Sequence, residues 1–173
     1  MRWIALPLCL GLASLPHQPA IAAPNFFRRP PTQLTIHNPS AVEGQRNRTT
    51  LSVHVPADAG AALEQIQLTQ LSNLDHWNWG RRAPDVYRGT YALRGRQQNS
   101  EITASMVSDR GDVQIRLLPP ALPGETVNLV FRGFNPEQGI YQWSSVLVPQ
   151  GDAAISSVGP TLRLHVYGAD PFF

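Results

Sequence analysis

The sequence predicts an all-β protein, an antiparallel, immunoglobulin-like β-sandwich of about eight strands in a single domain. Three observations carry this reading. Apolar and polar residues alternate in short runs, the period-two mark of strands with one buried face. Proline and glycine punctuate the chain closely, with 16 prolines and 13 glycines in 173 residues. No segment carries a long apolar stripe of helical period, so helices cannot be the pillars of the core. A closed barrel is the main rival architecture.

The elements follow in order. Residues 23–33 form an extended lead-in, because the Pro30-Pro31 pair keeps its neighbours out of helical geometry. Leu34 and Ile36 mark a first strand, Leu51, Val53 and Val55 a second, and Ile66, Leu68 and Leu71 a third. Ala57 to Leu63 offers the one plausible helical turn, with Asp58 as its cap. Residues 75–99 are the least regular stretch, long for a plain connection. Further strands are expected at Glu101–Val107, Val113–Leu118, Thr126–Arg132, Ile140–Val148 and Thr161–Tyr167. Asp109-Arg110-Gly111-Asp112 fits a hairpin turn. Pro56, Pro119, Pro120 and Pro149 suit strand ends, where no ladder donor is needed. The sandwich should therefore occupy residues 34–168, with 169–173 as a short tail.

Arg2, an apolar run from Trp3 to Leu15 and the small residues Ala20-Ile21-Ala22 read as a secretory leader covering residues 1–22. Cleavage after Ala22 is expected, since a cut after Ala23 would leave proline first. The apolar run is too short for a permanent anchor. The single cysteine, Cys9, leaves with that leader, so the remaining domain has no disulfide, thiolate ligand or cysteine nucleophile. The expected compartment is outside the cytoplasm: periplasm, cell envelope or medium. All 14 basic residues are arginine, a bias that fits a GC-rich genome. Losing Arg2 lowers the formal net charge from +2 to +1, too little to attract nucleic acid or a membrane.

Several turns and strands together resemble a known family. Val55-Pro56-Ala57-Asp58-Ala59-Gly60-Ala61-Ala62-Leu63 resembles its opening turn, and Tyr87-Arg88-Gly89 its aromatic-x-Gly element. Leu122-Pro123-Gly124-Glu125-Thr126-Val127, Asn135-Pro136, Gly139-Ile140-Tyr141, Val148-Pro149-Gln150-Gly151 and Leu162 to Tyr167 complete the pattern. Over residues 51–168 the chain is similar to the exported cyanobacterial family called domain of unknown function 2808. Glu137-Gln138 departs from its usual glycine-rich turn, which concerns a loop alone. The resemblance implies export and a β-rich fold, and it brings no activity or catalytic residues.

The segment from His76 to Arg96 is the best candidate site. Trp77, Trp79, Tyr87 and Tyr91 interleave there with Arg81, Arg82, Arg88, Arg94 and Arg96, against the single acid Asp85. Aromatic faces stack on sugar rings, and guanidinium forks grip carboxylate, sulfate or phosphate. The plainer alternative has the tryptophans packed beneath the loop and the arginines merely solvated. His37, His54 and His165 each sit on a predicted strand opposite its apolar face, and could hold copper or zinc if they met. Exposed strand histidines are the commoner case. Asp109 and Asp112 are explained by turn chemistry. No nucleophile elbow, zinc-protease motif, phosphate loop or calcium loop is present, and no cofactor is expected.

The sequence thus points to an exported, non-enzymatic module that binds envelope or extracellular anionic polysaccharide through Trp77, Trp79, Arg81, Arg82, Tyr87 and Arg88. A periplasmic metal carrier using the three histidines is the alternative. An enzyme acting on glycans or peptides is the third reading.

Overall fold

The computed structural model of the protein describes residues 25–93 and 101–169. The expected leader, Cys9, Arg94, Arg96 and residues 170–173 of the expected tail lie outside the described residues. The described chain is all-β, with twelve strands and no helix. They are β1 (Gln33–His37), β2 (Arg46–Asn47), β3 (Thr50–His54), β4 (Leu63–Gln70), β5 (Asp85–Arg88) and β6 (Thr103–Asp109). Then come β7 (Asp112–Ala121), β8 (Thr126–Val130), β9 (Gly133–Phe134), β10 (Gly139–Pro149), β11 (Ser157–Val158) and β12 (Leu162–Val166).

Two antiparallel sheets build the sandwich. The first runs β1-β3-β8-β5; the second runs β11-β10-β4-β7-β6, with β12 also paired to β10. β2 and β9 form a small separate ladder. The register follows from the alternation. Leu34, Val53 and Val127 align across the first sheet, as do Ile36, Leu51, Leu129 and Val86 in the next inward row. In the second sheet Leu147, Ile66 and Ile115 align, as do Ser145, Leu68 and Val113. The apolar side chains of both sheets join one core cluster. A one-residue slip in any of these strands would turn its apolar set to water, so burial itself fixes the pairing. Each large aliphatic group so buried contributes about 1.5–3 kcal/mol.

Some expectations need correction. Ala57 to Ala62 is a turn, not a helical one: Ala59 N–H donates to the Pro56 carbonyl at 2.9 Å, and Leu63 already belongs to β4. Asp58 does not cap it but pairs with Arg29 at 3.1 Å. The irregular stretch 75–99 contains β5, which seals the edge of the first sheet against β8. β2, β9 and β11 are two residues each, too short to show any alternation. The strand expected at 101–107 starts at Thr103 and runs to Asp109. Pro119 and Pro120 lie within β7, in the span between the Arg116–Gln65 and Ala121–Leu63 pairs where the register shifts. No ladder donor is asked of them there.

The hairpin at Asp109–Asp112 forms as expected. Arg110 and Gly111 both take positive φ, 45° and 84°, and Asp109 pairs with Asp112. The Asp112 carboxylate accepts from the N–H of Gln70, 42 residues away, at 2.7 Å. Its role is to tie β7 to the end of β4.

Candidate functional site

Trp77 and Trp79 are core residues, each only 2% exposed. This corrects their reading as a contact surface. Their rings meet at 6.3 Å, Trp77 lies edge-on to Tyr141 and to Trp143, both at 5.5 Å, and Trp79 meets Phe131 at 4.9 Å. Aromatic edges placed against neighbouring faces add about 0.5–1.5 kcal/mol per pair to the area buried. Gln70 holds the segment down: its Oε1 accepts from Trp77 N–H at 2.8 Å and its Nε2 donates to the Asp75 carbonyl at 2.8 Å. The Trp77 indole N–H finds no acceptor among the described residues.

Two glycines let the segment lie flat on its neighbour. A Cβ at Gly80 would strike the Arg132 carbonyl, and one at Gly133 would strike the Asn78 carbonyl. The backbones of 78–80 and 132–133 therefore touch directly, with no room for side chains between them. Tyr87 is also buried, at 5% exposure, and its hydroxyl bonds the Ala92 N–H at 3.2 Å. It faces away from the core, on the outer side of the first sheet beside Asn128. It is covered by its own following loop and offers no ring to a polymer.

The arginines separate into two places. Arg88 ends β5 beside the Glu125 carboxylate, at 3.4 Å. Arg81 and Arg82 are exposed and lie beyond the other end of β5, lining a hollow of about 290 Å³ with Asp85 and Arg132. Arg132 donates to Asp85 through Nη2 at 2.8 Å and Nε at 3.2 Å. Arg81 and Arg82 have no ion-pair or hydrogen-bond partner among the described residues. One carboxylate thus faces three guanidinium groups, leaving an excess of positive charge at this mouth. Arg132 was absent from the sequence-derived set. Its signal was the inward set Val127, Leu129 and Phe131, whose period of two puts Arg132 on the outer face just past the end of β8.

The three histidines do not meet. His54 stands opposite Gln33 and His37 opposite Thr50, at opposite ends of the β1–β3 ladder and about 13 Å apart along it. His165 stands opposite Ile140 in the second sheet. No group of three or more metal-ligating side chains is found among the described residues. The carrier reading needs all three in one cluster, and the described residues hold no such cluster.

The family model described as "Protein of unknown function (DUF2808)" matches residues 25–166. No curated protein matches the chain. Among solved structures the chain is similar to BslA, titled a bacterial hydrophobin, at 13% identity and a TM-score of 0.43, covering 79% of this chain and 92% of that one. It is similar to an immunoglobulin-like protein from Nocardia farcinica at 16% identity and a TM-score of 0.41, covering 77% and 96%. A third is a PapD-like domain of human CEP192, at 16% identity and a TM-score of 0.34, covering 92% and 100%.

Proposed function

We propose that this chain, which belongs to the DUF2808 family of proteins of unknown function, is an exported, non-enzymatic binding module of a cyanobacterial cell envelope. Its ligand in this reading is anionic polysaccharide of the envelope or its surroundings. The observation that supports it is the hollow where Arg81, Arg82 and Arg132 face one carboxylate, Asp85. Two free guanidinium forks beside a paired one suit carboxylate or sulfate groups spaced along a polymer, each fork giving a planar two-point grip. The tryptophans act beneath this surface, holding the loop that carries the arginines.

The test compares retention on immobilised polygalacturonate and dextran sulfate with retention on neutral dextran. Arg81→Ala/Arg82→Ala should lose about ten-fold of its affinity for the charged matrices, while its unfolding midpoint stays within about 0.5 kcal/mol of the parent. Equal retention of the folded variant and the parent would reject the arginine hollow. Export is tested separately: the extracytoplasmic protein should begin at Ala23.

A further inference from the structure

The outer face of the first sheet carries a second, chemically different cleft, and we infer that it binds an uncharged, extended oligosaccharide. The cleft has a volume of about 520 Å³ and lies over β1, β3 and β8, with the Thr90–Tyr91 loop as its wall. That volume is within the range of sites that enclose small ligands. It continues into a neighbouring hollow of about 250 Å³, which shares Thr32, Gln33 and His54 with it and ends at the Arg29–Asp58 pair. Together they make a trough along the strands, a shape suited to a linear chain of rings.

The floor is built of polar groups that the alternation turns away from the core. Thr35 aligns with Ser52 across the β1–β3 ladder, and Ser52 with Asn128 across β3–β8. The Ser52 hydroxyl donates to Asn128 Oδ1 at 2.5 Å. His54 Nδ1 bonds the Thr126 hydroxyl at 2.9 Å, which fixes the ring and leaves Nε2 without a partner among the described residues. At the far end the Tyr91 ring stacks on His37 at 3.7 Å, nearly parallel at 8°.

The wall is held in place by half-buried hydrogen bonds. Asn128 Nδ2 donates to the Gly89 carbonyl at 2.7 Å, and the Tyr87 hydroxyl bonds both backbone groups of Ala92. These clamps fix the loop on either side of Tyr91, so the cleft is preformed rather than waiting on a ligand.

The chemistry of the lining selects the ligand class. No arginine, aspartate or glutamate lines the main cleft, so it holds no permanently charged side chain to grip an anion or a cation, and the Arg29–Asp58 pair stands only at the end of the adjoining hollow. Hydroxyls, an amide and imidazoles that donate or accept, set beside one aromatic ring, match a sugar's hydroxyl rim and its apolar C–H face. The cleft lies in a different place from the arginine hollow and shares no residue with it.

The experiment titrates the full chain with neutral hexasaccharides of glucose, mannose, galactose and N-acetylglucosamine, read by calorimetry and by backbone amide NMR shifts. At least one should bind saturably below about 10 mM, with shifts centred on β1, β3 and Tyr91. Tyr91→Ala and His54→Ala should each weaken it about ten-fold, while Tyr91→Phe keeps it and Arg81→Ala/Arg82→Ala leaves it unchanged. Loss with the arginine variant but not with Tyr91→Ala would overturn this site and leave the arginine hollow standing. Absence of saturable binding by the folded chain, or binding of an uncharged extended peptide and of no oligosaccharide, would equally overturn it.

Discussion

Trp79 and Trp143 donate their indole N–H groups to the same acceptor, the Gly111 carbonyl, at 2.7 and 3.0 Å. One indole comes from the loop after β4 and the other from the middle of β10, while the acceptor sits in the β6–β7 turn. The two rings also meet, at 5.5 Å. A carbonyl with two lone pairs can serve both donors, and so one turn residue binds three distant segments together.

These two tryptophans should be energetically coupled. Trp79→Phe and Trp143→Phe each remove one donor and should destabilise by about 1–3 kcal/mol, combining a lost hydrogen bond with a smaller ring. The double variant leaves the buried carbonyl with neither indole. Its cost in urea unfolding should depart from the sum of the singles by at least about 0.5 kcal/mol. Strict additivity would mean that the shared acceptor links nothing.

Gly133→Ala tests the direct backbone approach beneath the arginine hollow. The added methyl meets the Asn78 carbonyl, which cannot swing aside as a side chain could. A cost of about 3 kcal/mol is expected, at the upper end for overpacking. Near-ultraviolet circular dichroism should change with it, because Trp77 and Trp79 ride on that backbone. An unaltered tryptophan spectrum would contradict the close contact.

Asn135 is the hub of one end of the sandwich. Its Oδ1 accepts from Asn38 and Asn47, both at 2.9 Å, and its Nδ2 donates to the Ser40 and Val42 carbonyls at 2.6 and 2.7 Å. Asn135→Ala should lose about 2–4 kcal/mol and speed hydrogen exchange selectively across residues 38–47. A loss under about 0.5 kcal/mol would show that the loop is held by other means.

His37 gives a pH dependence with a definite sign. Burial beneath Tyr91 lowers its pKa below the ordinary 6.5. The groups facing it are the Thr35 hydroxyl and Tyr91, with the charge of Arg48 acting on Tyr91. In the fold the ring stays neutral while the unfolded chain takes up the proton, so stability falls as pH drops below 6.5 and levels off below the folded value. The unfolding midpoint of His37→Gln should lack that component between about pH 7.5 and 5. Parallel pH profiles for parent and variant would contradict the burial.

How much was legible beforehand differs by element. Strands with three or more alternating residues, such as Leu51-Ser52-Val53 or Val113-Gln114-Ile115, declared both their existence and their inward face. β5 was hidden because Asp85-Val86-Tyr87-Arg88 shows a single inward aliphatic between polar ends. The tryptophans were ambiguous for a different reason. Trp77 and Trp79 share one parity in an irregular segment, a pattern equally at home over a core or over a ligand. Their burial came from Gln70, Gly80 and Gly133, residues close to them in space that no spacing rule connects.

Read by itself, the sequence determined an all-β sandwich, the faces of its longer strands, the Asp109–Asp112 hairpin and the membership of a family, because alternation and turn chemistry are local properties of the chain. Only the tertiary structure decided that the tryptophans are core, that Arg132 joins Arg81 and Arg82, and that His165 stands apart from His37 and His54. Those outcomes depend on which strands become neighbours and on where backbones can touch. Both are long-range relations set by burial in the finished sandwich, and no short window of sequence contains them.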